Sequence, residues 1–287
     1  MKRMVYMIAA AMAIALAACN NEEGASVYAP EDGEIQLKMM HPNQSRVTDT
    51  FFEDTDSIGV YVTTSDADLQ LAGNEVNNAL FTYNGFSWTA KQKVYWNKGK
   101  HNVYAFYPYS KVVNDVMDYS FSVQTDQSSE WGYMHSDFLF ASVQDVAASK
   151  TAVTMQFAHK MSNVIVKLEK GENYEGEIPA DAEVYLLSTV PHAVIDLSTG
   201  DAAKDNYGEQ AAIRCRQLSN TQYQAIVVPQ NLTSRRPLVE INMDNVSYLM
   251  EGKISYRPGM RHTITVTLDK NPEQIKIDIG GKVEGWN

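Results

Sequence analysis

The sequence predicts an all-β protein. Short runs rich in Val, Ile, Tyr, Phe and Thr recur, most of them alternating apolar and polar residues, and Gly, Asn, Asp and Pro fall between them. That is the pattern of half-buried strands joined by turns, because successive side chains of a strand point to opposite faces. No long stretch repeats every 3.6 residues, so helices are expected only as short insertions, for example within Asp66 to Asn78.

In chain order, the first expected strand is Glu34 to Met40, with Ile35, Leu37 and Met39 on one face. Ser57 to Val62, Asn102 to Tyr107, Ala152 to Phe157 and Asn163 to Leu168 follow. Arg261 to Leu268 is another, and Gln274 to Ile279 alternates with Ile275, Ile277 and Ile279 on one face. Periodicity alone leaves two roles open for that last segment. It can be the closing strand of its own domain, with Trp286 as a plug, or a strand given to a neighbour.

Ahead of the strands lies a different kind of segment. Lys2 and Arg3 precede an apolar run from Met4 to Ala18, and Leu16-Ala17-Ala18-Cys19 ends it. The run is shorter than the roughly 20 residues that span a bilayer, so it reads as a signal peptide over residues 1–18. Small residues directly before a cysteine suit a lipoprotein signal peptidase, which cuts between Ala18 and Cys19 once the thiol carries diacylglycerol. Two or more acyl chains make membrane attachment effectively permanent. Residues 19–33 begin Cys19-Asn20-Asn21-Glu22-Glu23 and lack periodicity, so a flexible tether is expected. Acidic residues at that place also resemble a surface-export signal of Gram-negative lipoproteins.

The chain has two cysteines, and lipidation of Cys19 leaves only Cys215. No intrachain disulfide can then form, and stability must come from packing. Cys215 lies between Arg214 and Arg216, which would favour a thiolate. However, Ile213-Arg214-Cys215-Arg216 alternates so as to put the thiol on the apolar face.

The formal net charge of −11 becomes −13 once Lys2 and Arg3 leave with the signal. Without a basic stripe beyond Arg235-Arg236, nucleic acid is not expected as a partner. The six histidines show no H-x-x-x-H spacing and no Gly-x-Ser-x-Gly occurs, so neither a metal nor a cofactor is expected, nor an enzyme. His159, beside a strand pair, reads as a hydrogen-bonding residue at a connection.

The length remaining after the signal exceeds one sandwich core, so two β-sandwich domains are expected, over 34–148 and 149–287, with a soft boundary in Asp145 to Lys150. Several segments in order resemble the fimbrillin-like family. They are Phe51-Phe52-Glu53-Asp54-Thr55-Asp56-Ser57-Ile58-Gly59-Val60-Tyr61, Tyr95-Trp96 and Tyr104 to Tyr109, then Ser136 to Ala141, Met155 to Val164 and Pro258 to Val266.

The resemblance implies two tandem transthyretin-like β-sandwiches in an outer-membrane surface lipoprotein of the type V pilus, acting as shaft, tip or anchor subunit in adhesion. It also implies removal of the lipidated N-terminal segment with its first strand by a trypsin-like protease. A neighbouring subunit's strand then fills the groove. Arg46, followed by Val47 where the family often has alanine, matches the family's cleavage position, and it lies in a turn-rich stretch where a loop can enter a protease. The alternative is a glycan-binding outer-membrane lipoprotein that presents aromatic rings to host or bacterial surface sugars. Trp88, Trp96 and Trp286 also suit a sandwich core, and Trp131, in the polar stretch Asp126 to His135, is the best ring for that role.

Overall fold

The computed structural model describes residues 33–42, 52–270, 275–279 and 281–286. Ala18, Cys19, Arg46 and Val47, to which cleavage, lipidation and processing were assigned, lie outside the described residues, as does nearly all of the tether. Numbered along the chain, the first half holds β1 (Leu37–Met40), β2 (Ser57–Thr64), β3 (Val76–Tyr83), β4 (Trp88–Ala90), β5 (Lys100–Tyr107) and β6 (Tyr119–Ser122). The short helix α1 (Glu130–Met134), β7 (Leu139–Ala147), β8 (Val153–Gln156) and β9 (Ala158–His159) come next. The second half holds β10 (Ser162–Lys170), β11 (Glu183–Thr189), β12 (His192–Asp196), β13 (Asp201–Lys204), β14 (Ala211–Arg214), β15 (Arg216–Ser219) and β16 (Gln222–Val227). It ends with β17 (Gln230–Met243), β18 (Val246–Tyr256), β19 (Met260–Leu268), β20 (Lys276–Asp278) and β21 (Val283–Gly285). The protein is all-β, as its alternation predicts.

The first half is organised by one antiparallel sheet in the order β4-β3-β2-β5-β7-β9. Both of its faces are covered. Ile58, Val60, Val62, Val103, Ala105, Leu139 and Ala141 belong to one apolar cluster, shared with Ile35, Leu37 and Met39 at β1 and Met155 of β8. The alternate residues Tyr61, Tyr104, Phe106 and Phe140 belong to a second cluster, shared with Tyr119 and Phe121 of β6 and with Ile195 of β12. Burial on both faces explains why Ile58 to Thr63 are all buried, a run that alternation alone does not explain.

Covering strands come from both sides of the residue 148/149 boundary. β1 and β8 form a parallel pair over one face, and β13-β12-β6 form an antiparallel layer over the other. The second half adds the sheet β15-β16-β10-β19-β20, with β21 also on β19, and the sheet β14-β11-β17-β18. Val164, Val166, Ile264 and Val266 of the first and Val184, Leu186, Val239 and Ile241 of the second share the larger core.

Asp66 to Asn78 differs from the expected short helices. Up to the start of β3 at Val76 it is a stitched turn, in which Gln70 N donates to Asn74 Oδ1 (3.0 Å), Asn74 Nδ2 donates back to Gln70 O (2.6 Å) and Asn74 N donates to Asn77 Oδ1 (3.1 Å). Asparagine amides satisfy the backbone locally and so compete with helix formation. Conversely, Trp131 stands on α1, whose start is capped by Ser129 Oγ accepting from Gly132 N (3.1 Å). Among the described residues, no helix is long and apolar enough to cross a membrane.

Candidate strand-exchange site

β1 lies between two backbone edges. On one side its lead-in runs antiparallel to residues 94–96: Ile35 N donates to Val94 O (2.9 Å) and Trp96 N donates to Gly33 O (3.0 Å). On the other side β1 runs parallel to β8, in the register Leu37 to Val153 through Met40 to Gln156. There Val153 N donates to Gln36 O (2.9 Å) and Phe157 N donates to Met40 O (2.9 Å). The exposed pair Lys93 Nζ to Glu34 Oε2 (2.9 Å) adds little, since a solvated ion pair is weak.

Beneath β1, Ile35, Leu37 and Met39 are buried against Val60, Val62, Trp96, Met155 and Phe157. Burying three such side chains stabilises the strand by about 5 to 9 kcal/mol before any entropy cost. Withdrawing β1 would therefore open a slot one strand wide, with an apolar floor and peptide groups unpaired along both walls.

One end of this slot is lined with rings. His41, the next residue of the alternating set, is buried and meets Phe52 and His159 edge to face, with centroids 5.2 and 5.8 Å away. Burial holds the His41 pKa down to about 4, and nearby His159 lowers it further while Asp137 pulls it back up. The imidazole is thus neutral at neutral pH. His159 is fixed by Asp137, with Nδ1 2.9 Å from Oδ2, and the indole of Trp286 stacks on it from the C-terminal side.

The C-terminal set is placed elsewhere. Ile275, Ile277 and Ile279 pack against the larger core, and β20 pairs with β19 so that Ile277 faces Val266. Gly252 on β18 makes room for this segment, because a Cβ there would collide with Cδ1 of Ile279. The two predicted strand sets therefore do not meet.

Among the tryptophans, Trp96 and Trp286 are buried, and Trp88 packs edge to face on Phe52. Trp131 is 60% exposed and stacks on His135 at 4.3 Å. Cys215 is buried and burial pushes its thiol pKa up, while Arg214 pairs with Glu183 and Arg216 lies 3.5 Å from Glu130. No cluster of His, Cys, Asp and Glu among the described residues is arranged to hold a metal. The ring-lined end was missed from the sequence, although extending the alternation one step beyond Met39 reaches His41.

A model of the fimbrillin-like family matches residues 45–286. The chain belongs to the fimbrillin-like family. A candidate fimbrium tip subunit of Bacteroides ovatus, Fim1C, is 29% identical over 133 residues, which are 42% of this chain and 24% of that protein. This fimbrillin-like chain thus spans about a quarter of the curated relative it matches.

Its fold is shared with a candidate cell adhesion protein of Bacteroides ovatus, at a TM-score of 0.71 and 19% identity over 88% of this chain and 97% of that one. A candidate cell adhesion protein of Bacteroides uniformis gives a TM-score of 0.69 at 20% identity, over 90% and 100% of the two chains. A fimbrial protein of Bacteroides vulgatus gives 0.55 at 15% identity, over 88% and 99%.

Proposed function

We propose that this fimbrillin-like protein is a fimbrial subunit in adhesion at the outer-membrane surface, joined to other pilus subunits by exchange of β1 for a neighbour's strand. It is not an enzyme in this reading. The observation that carries it is the position of β1, a short strand paired with β8 on one side, its lead-in bonded to residues 94–96 on the other, over an apolar floor. Main-chain pairing gives strand addition its affinity, and alternate side chains in pockets set its register. Family membership supports the same reading.

In this proposal Cys19 carries the lipid after cleavage at Ala18, and a cut between Arg46 and Val47 separates β1 from β2. Ile35, Leu37 and Met39 are the side chains that leave. Ile275, Ile277 and Ile279 stay in their own sheet, which favours a terminal tip or anchor position over a shaft position in which that strand is given away.

The exposure of Trp131 favours a second reading, binding of surface glycans through an indole pre-set by His135. Brief treatment of the purified mature protein with trypsin, followed by mass spectrometry and native sizing, tests the first reading. It expects a cut after Arg46 and exchange of the freed strand for an added strand peptide. A cleaved protein that takes up no peptide refutes strand exchange, and retention on glycan arrays lost in Trp131→Ala would then support the second reading.

A further inference from the structure

The slot under β1 has a fourth position that its three aliphatic residues do not account for. Ile35, Leu37 and Met39 point down at alternate places, and His41 continues the set into an end chamber of different chemistry. Phe52 and His159 close on His41 edge to face, and Trp286 backs His159 at 3.8 Å with the two ring planes 6° apart. The backbone that carries this indole is anchored, because Trp286 N donates to Gly259 O (2.9 Å) and Gly259 N donates to Met161 O (2.8 Å). Edge-to-face ring contacts favour a planar side chain beyond the area it buries, whereas an aliphatic side chain loses those contacts with Phe52 and His159 and a missing one leaves a void beside them.

We propose that this ring-lined chamber is a specificity subsite of the strand groove, selecting an incoming strand that carries a planar aromatic or imidazole side chain two residues beyond three alternating aliphatic ones. The inference rests on the strand-exchange reading and names the partner that reading leaves open. The chain's own C-terminal strand tests the rule at once. Ile275, Ile277 and Ile279 match the three aliphatic places in the same direction, but the fourth falls on Gly281, which has no ring to offer. The C-terminal strand of a second copy is therefore a poor occupant, and the fitting partner is a strand from a different chain that repeats the β1 pattern of three alternating aliphatic residues and a ring.

Hydrogen exchange on the full chain tests the chamber with β1 in place. His41→Ala is expected to speed exchange of the β1 amides about tenfold, and His41→Phe to keep it near wild type. In a Trp286→Ala background the His41→Ala effect should shrink, since the wall behind His159 is already gone. Equal protection in wild type and His41→Ala would overturn the subsite.

Peptide competition on the trypsin-cut protein separates the two ideas. The peptide Gly33 to Pro42 should enter about tenfold more tightly than its His41→Ala version, and a peptide of residues 273–282 should behave like the weaker one. If both versions of the first peptide enter equally, the subsite falls and strand exchange stands. If neither enters, strand exchange falls, and hydrogen exchange on the intact chain alone decides whether the chamber discriminates.

Discussion

The indole of Trp286 lies flat on the imidazole of His159, with ring centroids 3.8 Å apart and planes 6° apart. One ring closes the C-terminal segment and the other belongs to β9, the edge strand of the first sheet, so the stack ties the last described residues to the wall of the β1 groove. Trp286 is also buried, so its removal leaves a cavity as well as a lost stack. Trp286→Ala should cost about 3 kcal/mol in denaturant unfolding, and Trp286→Phe clearly less, because it keeps a ring over His159. A loss below about 0.5 kcal/mol for the alanine variant would show that the stack is not a stabilising contact.

His41 makes stability depend on pH in one direction. Its folded pKa is held at about 4, below the ordinary 6.5, so between these values the unfolded chain takes up a proton that the folded chain refuses. Protonation therefore favours unfolding. The penalty is absent above about pH 6.5, grows as the pH falls and is complete below about pH 4, where it reaches on the order of 3 kcal/mol. Burial lowers the pKa of His262 as well, which adds in the same direction. His41→Phe should flatten the fall in unfolding free energy between pH 6.5 and 4, and an unchanged slope would contradict the buried neutral imidazole.

What was legible in the sequence follows from local periodicity, and what was not depends on pairings between distant segments. Ile35, Leu37 and Met39 alternate and do line one buried face, because a strand's pattern directly reports a face that meets a core. Cys215 likewise sits inward, as its place in Ile213 to Arg216 indicates. That β6 pairs with β12, some 70 residues on, has no local signature, and neither does the meeting of His41, His159 and Trp286. The segment from Asp66 forms a turn and not a short helix because Asn74 and Asn77 bond the backbone locally, a capacity that apolar spacing does not report. Residues Cys19 and Arg46 carry the clearest processing signals of the sequence, and they fall outside the described residues.

The same inward placement makes Cys215 inert in the native protein. Burial pushes its pKa up, and the flanking arginines turn to Glu183 and Glu130 instead of to sulfur. The native mature protein should therefore give no reaction with a thiol-specific disulfide reagent at pH 8 over minutes, and full reaction at Cys215 in denaturant. Rapid native labelling would revive the thiolate reading that Arg214 and Arg216 suggest.

Gln127 ends a sheet edge with a side chain. Its Nε2 donates to Ile226 O (2.7 Å) and Gln124 O (3.0 Å), and its Oε1 accepts from Ile226 N (2.7 Å), so the amide imitates one residue of a neighbouring strand. The residue is fully buried, and water cannot easily replace it. Gln127→Ala would strand the N–H and C=O of Ile226 in the interior at a cost of about 2 to 4 kcal/mol. Gln127→Met restores the volume but not the hydrogen bonds, so it should recover only a minor part of that loss in denaturant unfolding. A methionine variant as stable as wild type would mean that packing, and not the paired amide, holds this edge.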